Sequence, residues 1–221
     1  MNPLRLSILT KRQWLSSVFP PRLLLLPALF GSSLPHEAWS NDSPASIGLF
    51  LESKVAAPDM YQEIAQAKST VLVPARPGQW GVDTFRKEEW EKESLEWSVV
   101  LPAAQARADE LAQNMTIEWE RDQRQVIRYA SIRSEDPFLT SVIYSDVFLR
   151  RLERKLGREV LAVAPSRTTL YVFPRLGEFL DQTTPLLIEE YRNAIFRVSL
   201  EIFLINTEGV RAIGKISDRP Q

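Results

Sequence analysis

The chain has 221 residues, 44% of them apolar, with 27 basic and 28 acidic side chains and a formal charge of −1. That balance argues for an ordinary globular domain, against wholesale disorder, and against an electrostatic affinity for nucleic acid. No Cys and a single His exclude a disulfide framework and leave little imidazole or thiol chemistry.

The first forty residues read as an export signal. Lys11, Arg12 and Arg22 precede the apolar run Leu23 to Phe30 (LLLLPALF), and Ala38 and Ser40 place small residues at a cleavage point. The run is shorter than the roughly 20 residues a membrane helix needs, and Pro27 interrupts it, so no stable membrane span is expected after cleavage. An uncleaved anchor and a cytoplasmic protein with an apolar N-terminus are the alternatives. Cleavage after residue 40 removes four of the 27 basic and one of the 28 acidic residues, moving the formal charge from −1 to −4. It also removes His36, leaving neither imidazole nor thiol. Residues 41–46 (NDSPAS) suit a short polar tether, and 47–221 suit a single domain.

Within that domain IGLFLES, from Ile47, predicts a first strand, and DMYQEIAQAK predicts a helix capped by Asp59. Thr70 to Val73 reads as a brief strand ended by Pro74, Pro77 and Gly78, with a loop beyond. The charge-dense stretch 83–97 predicts a helix on which Phe85, Trp90 and Trp97 share part of a face. A second, alanine-rich helix, PAAQARADELAQN, opens at Pro102.

TIEWERD and QVIRYASIR alternate apolar and polar residues on either side of Gln123 to Gln125, which predicts an antiparallel hairpin. Asp136 and Pro137 start a helix whose buried face is Leu139, Val142, Ile143, Leu149, Leu152 and Leu156, stopped at Gly157. VLAVA and TLYVF form the next pair of strands across PSR. A helix over 185–194 with Thr184 as cap follows, then a strand alternating at Phe196, Val198, Leu200, Ile202 and Leu204, and NTEG turns the chain into VRAIGKI. Hairpin, helix, hairpin, helix, hairpin implies an α+β domain: a predominantly antiparallel sheet built from hairpins, with helices packed on one face.

The phrase AVAPSRTTLYVFPRL resembles a family of uncharacterised bacterial α+β proteins typified by YtpQ, over roughly Asp136 to Ile216. The resemblance implies a similar fold and brings no activity. Ser166 and Arg167, at the junction of two strands, are the candidate ligand-binding residues, because a guanidinium fork takes carboxylate or phosphate. The alternative is a turn serine with an arginine tying down a nearby carboxylate. As a nucleophile Ser166 lacks a histidine base.

The basic run Arg150, Arg151, Arg154, Lys155 and Arg158 sits where cations complement a helix C-terminus. Glu118 and Glu120 share one face of a strand, and an exposed edge accounts for them. No calcium loop, GxGxxG or phosphate loop is present, so no metal and no cofactor are expected. Trp80, Trp90, Trp97 and Trp119 either anchor helices to a sheet or line a sugar surface. The expected function is an exported, non-catalytic binding or accessory module of the cell envelope, secreted or periplasmic, with a protein or small-molecule partner. The alternative is a carboxylate-dependent hydrolase acting on carbohydrate.

Overall fold

The computed structural model describes residues 46–78 and 81–218, all within one unit of the chain. The export signal, nearly all of the tether and Trp80 lie outside the described residues. Three hairpins make the larger of two antiparallel sheets. They pair β5 (Glu118–Arg121) with β6 (Ile127–Arg133), β7 (Val160–Ser166) with β8 (Thr169–Pro174), and β9 (Glu201–Asn206) with β10 (Gly209–Lys215). The six strands run in the order β10-β9-β7-β8-β6-β5.

Local chemistry sets each turn. Between β5 and β6, Asp122 Oδ1 accepts from the backbone N–H of Arg124 and of Val126, both at 2.8 Å. Between β9 and β10, Asn206 Oδ1 accepts from Glu208 N at 2.9 Å, and Gly209 takes φ +121°, which a side chain would resist.

The smaller sheet is formed by β1 (Gly48–Ser53), β3 (Thr70–Gly78) and β2 (Gln62–Glu63), with β4 (Gly81–Thr84) also on β3. Here the structure departs from the sequence expectation twice. DMYQEIAQAK forms no helix; it supplies β2 and a loop that buries Ile64 in the core. The strand from Thr70 also runs through both prolines to Gly78. Pro74 faces Leu49 of β1 on one flank and the gap between β2 and β4 on the other, while Pro77 pairs with Val82 beyond the end of β1. Each proline therefore has one unpaired flank, the condition under which a strand tolerates it.

Four helices complete the domain: α1 (Lys87–Lys92), α2 (Trp97–Asn114), α3 (Asp146–Leu156) and α4 (Phe179–Asn193). α1 and α2 begin on either side of an aromatic cluster in which Trp90 packs on Phe85 at 5.4 Å and on Trp97 at 4.9 Å. The single helix expected after Asp136 divides into a 3-10 turn, Leu139–Tyr144, and α3. Serine and threonine hydroxyls mark the division. Thr140 Oγ1 accepts from Leu51 N at 2.8 Å, and Ser145 caps α3 by accepting from Phe148 N at 3.2 Å. All six apolar residues expected on the buried face are buried.

Alternate residues of β7 sort into two layers. Val160, Ala162 and Ala164 join the main core with α2, α3 and the smaller sheet, whereas Leu161 and Val163 join Leu187, Phe179 and Leu180 of α4. The α+β class with antiparallel sheets holds. The layering is fuller than expected, because α4 covers the face opposite to α2 and α3, and every residue of β7 is buried as a result. α4 also starts earlier than position 185, with Pro185 inside it and Thr184 Oγ1 donating to Leu180 O at 3.2 Å.

The two sheets are tied at one end by Glu201. Its Oε1 accepts from the N–H of Lys68 at 2.7 Å and of Ser69 at 3.1 Å, and its Oε2 accepts from Thr70 Oγ1 at 2.6 Å. Ala212 N adds a bond to Ala65 O at 2.8 Å.

Candidate functional site

α2 is bordered by two clefts, and its composition accounts for them. Alanine is the best helix former and the smallest side chain with a Cβ, so a helix carrying Ala103, Ala104, Ala106, Ala108 and Ala112 is stable yet fills little of the space beside it. Its C-terminus is held from outside: Arg151 of α3 donates to the carbonyls of Ala112, Gln113 and Met115, the last two at 3.2 and 3.0 Å. One member of the basic run on α3 thus caps the neighbouring helix. Lys155 sits 4.0 Å from the Trp119 ring centroid, and Arg158 pairs with Glu153 at 2.9 Å.

On the inner flank of α2 lies a half-open cleft of about 260 Å3. Leu49 of β1, Leu72 of β3 and Leu101, Ala104 and Ala108 of α2 make its walls apolar; Gln62, Gln105, Ser141 and Tyr144 are its polar members. Two of these four have polar groups already spent. Gln105 Nε2 donates to Asp109 Oδ1 at 3.2 Å and to Tyr144 O at 2.9 Å, which leaves its Oε1 as an acceptor. Ser141 Oγ donates to Phe138 O at 2.8 Å.

The Tyr144 hydroxyl has no partner among the described residues, and burial pushes its phenol above the ordinary value of 10. The arrangement is an apolar slot with a neutral phenol donor and a fixed amide acceptor. No nucleophile–base pair faces it. Among the described residues no group of three or more His, Cys, Asp or Glu is placed to hold a metal ion.

Ser166 and Arg167 lie together at the β7–β8 turn. The Arg167 guanidinium is ion-paired with Glu52, a buried residue of β1, and stacks between Phe50 and Phe196 at 4.6 and 5.2 Å from the ring centroids. Ser166 Oγ accepts from Thr168 N at 3.3 Å, closing the turn. The arginine therefore joins the larger sheet to the smaller through one nitrogen paired with Glu52, while its Nε is buried without a hydrogen-bond partner among the described residues.

Glu118 and Glu120 lie exposed on edge strand β5, where Glu118 Oε2 accepts from Ser131 Oγ at 3.5 Å. Trp90 and Trp97 are packing residues of the cluster near α1. Sequence reasoning passed over Tyr144, Gln105 and Arg107. The signal that points to them is the run of alanines, which marks a helix unable to fill its surroundings.

A third cluster joins α4 to the outer face of the larger sheet. Arg133 donates to Glu190 Oε1 at 2.5 Å and to the Tyr171 hydroxyl at 2.8 Å, and that hydroxyl donates to Glu190 Oε1 at 3.1 Å. The hydrogen bond from Arg133 holds the Glu190 carboxyl below its ordinary value, while desolvation pushes the Tyr171 phenol up. These bonds fasten α4 to the outer face of the larger sheet.

The fold is thus an α+β domain of two antiparallel sheets carrying a small apolar cleft beside an alanine-rich helix. Comparison of the chain with protein-family models, with curated proteins and with solved structures finds no match.

Proposed function

We propose that this protein is an exported, non-catalytic binding module of the cell envelope that takes a small, mostly apolar molecule in the cleft between α2 and the smaller sheet. The observation that carries the proposal is the cleft's composition: five apolar walls around a phenol without a partner among the described residues and a free amide oxygen, with no nucleophile–base pair. A cavity of about 150 Å3 holds benzene, so about 260 Å3 suits a ligand of one or two rings bearing a hydroxyl or carbonyl. The leader pattern in residues 1–40 supports export. We further propose kinship of residues 136–216 with the YtpQ-like proteins, a relation that assigns no activity.

Titration with 2-naphthol, two fused rings and one hydroxyl, tests the ligand. Saturable binding by the purified protein is expected, weakened about tenfold by Ala108→Leu, which fills the slot, and several-fold by Tyr144→Phe. Tyr144→Phe keeps the ring, so it remains informative where the larger side chain at 108 destabilises the fold. Undiminished binding in both variants, or no binding by the native chain, refutes the proposal. Fractionation of the source cells with intact-mass measurement tests export; a cytosolic protein that retains Met1 contradicts it.

The hydrolase reading draws on Glu110 and Asp136, which line a second cleft on the outer flank of α2. No aromatic side chain lines that cleft among the described residues, so it offers no stacking face for a sugar ring. The binding reading is the better supported.

A further inference from the structure

The outer cleft of α2, about 440 Å3, is lined by a cation, Arg107, that has no carboxylate partner among the described residues. Arg76, Arg133, Arg167 and Arg175 each pair with a carboxylate. Arg107 pairs with none among the described residues. Its guanidinium lies 4.3 Å from the centroid of the Phe138 ring, and that ring is fully buried, so the cation sits against a fixed surface. Its Nε is buried without a hydrogen-bond partner among the described residues. A partly desolvated guanidinium held over a ring, with a buried N–H unmet among the described residues, is suited to a planar two-oxygen acceptor such as a carboxylate.

Glu110 and Asp136 line the same cleft without forming an ion pair to Arg107. Asp136 is pinned, because its Oδ1 accepts from Phe138 N at 2.8 Å and its own N–H donates to Ser134 Oγ at 3.0 Å. One cation and two carboxylates repel a dianion such as phosphate, but they complement a molecule that carries one carboxylate and one or two ammonium groups. Ala103, Ala106 and Leu111 give such a ligand an apolar wall for its aliphatic part.

We propose that this cleft binds a small zwitterion of the amino-acid class, with a diamino acid the best electrostatic match. Its carboxylate lies on the Arg107 fork and its ammonium groups face Asp136 and Glu110. The site is separate from the apolar cleft on the other flank of α2, and the two proposals stand or fall independently.

Calorimetric titration of the full chain with L-lysine tests it, beside 1,5-diaminopentane, which lacks the carboxylate, hexanoate, which lacks the ammonium groups, inorganic phosphate and glucose. Saturable binding of L-lysine alone is expected, unaffected by 2-naphthol, and weakened about tenfold in Arg107→Gln and in Asp136→Asn. Where a variant fails to fold, the Arg107 Nε–H resonance of the native protein decides: it shifts on addition of L-lysine. Failure of L-lysine to bind overturns the proposal, as does equal binding by 1,5-diaminopentane or an unmoved Arg107 resonance. Preference for glucose overturns it in favour of carbohydrate, and preference for phosphate in favour of a plain anion site.

Discussion

Replacing Glu201 separates the contribution of one buried carboxylate from that of the apolar core around it. The residue is 3% exposed and joins two sheets far apart in the chain, through two backbone N–H groups and one hydroxyl. Glu201→Ala strands all three donors. Each buried donor left unmet costs about 1–3 kcal/mol, and the half-buried Ser69 and exposed Lys68 recover part of theirs from water, so a loss of about 3–5 kcal/mol is expected. Glu201→Gln keeps an oxygen for the two N–H groups and turns an amide toward Thr70 Oγ1, whose hydroxyl can rotate to accept. Only the strength lent by the charge is lost, about 1–2 kcal/mol. Urea unfolding of the three proteins at neutral pH gives the differences from midpoints and slopes, and the slopes should agree. A cost below about 1 kcal/mol for Glu201→Ala, or equal costs for Ala and Gln, refutes the account of Glu201 as the tie between sheets.

Four further outcomes are expected. Gly48→Ala places a Cβ 2.4 Å from an atom of the buried Phe138 ring and should cost about 1–3 kcal/mol by urea unfolding, since that ring has nowhere to move. Arg167→Ala leaves Glu52 charged and buried, and should lower stability by about 2–4 kcal/mol at neutral pH; little change would mean that the pair lies open to water. The folded-state pKa of Glu190 is depressed, so its contribution is present above the ordinary 4.5 and is lost as pH falls through the lower folded value. The native protein should therefore lose more stability over that acid window than Glu190→Gln, as read by unfolding midpoints against pH. In an alkaline absorbance titration, Tyr129, Tyr144 and Tyr171 should ionise above the ordinary value of 10, chiefly through burial, and Tyr144→Phe should delete one late step.

The half of the fold beyond residue 115 was legible because its strands pair with their neighbours in sequence. Alternation at Ala130 and Ile132, or at Leu161 and Val163, reports a face directly, and the turns carry Asp122 and Gly209 where geometry needs them. Ile127 and Tyr129, expected on one face, instead lie in opposite layers, because a bulge between Glu120 and Arg121 shifts the register there. The earlier half resisted because its information is non-local. Nothing within DMYQEIAQAK announces that Gln62 and Glu63 will pair with Leu72 and Val71, so local helical spacing prevailed in the reading while sheet pairing prevailed in the protein. The same holds for β3, where Pro74 reads as a breaker until its flanking gap between β2 and β4 is known.

The polar residues behaved alike. Arg167 was visible at a strand junction, but its partner, Glu52, lies 115 positions away. Arg107 and Tyr144 carry no motif; only the folded helix shows that small neighbours leave space beside them.

The most direct measurement is a methyl and amide NMR titration of the protein with 2-naphthol. The account predicts shifts confined to the slot, at Leu49, Leu72, Leu101, Ala104, Ala108 and Tyr144, saturating with a single constant and leaving Arg107 and Arg167 unmoved. Shifts scattered over the surface, or none at those six residues, would contradict the assignment of this cleft as the binding site.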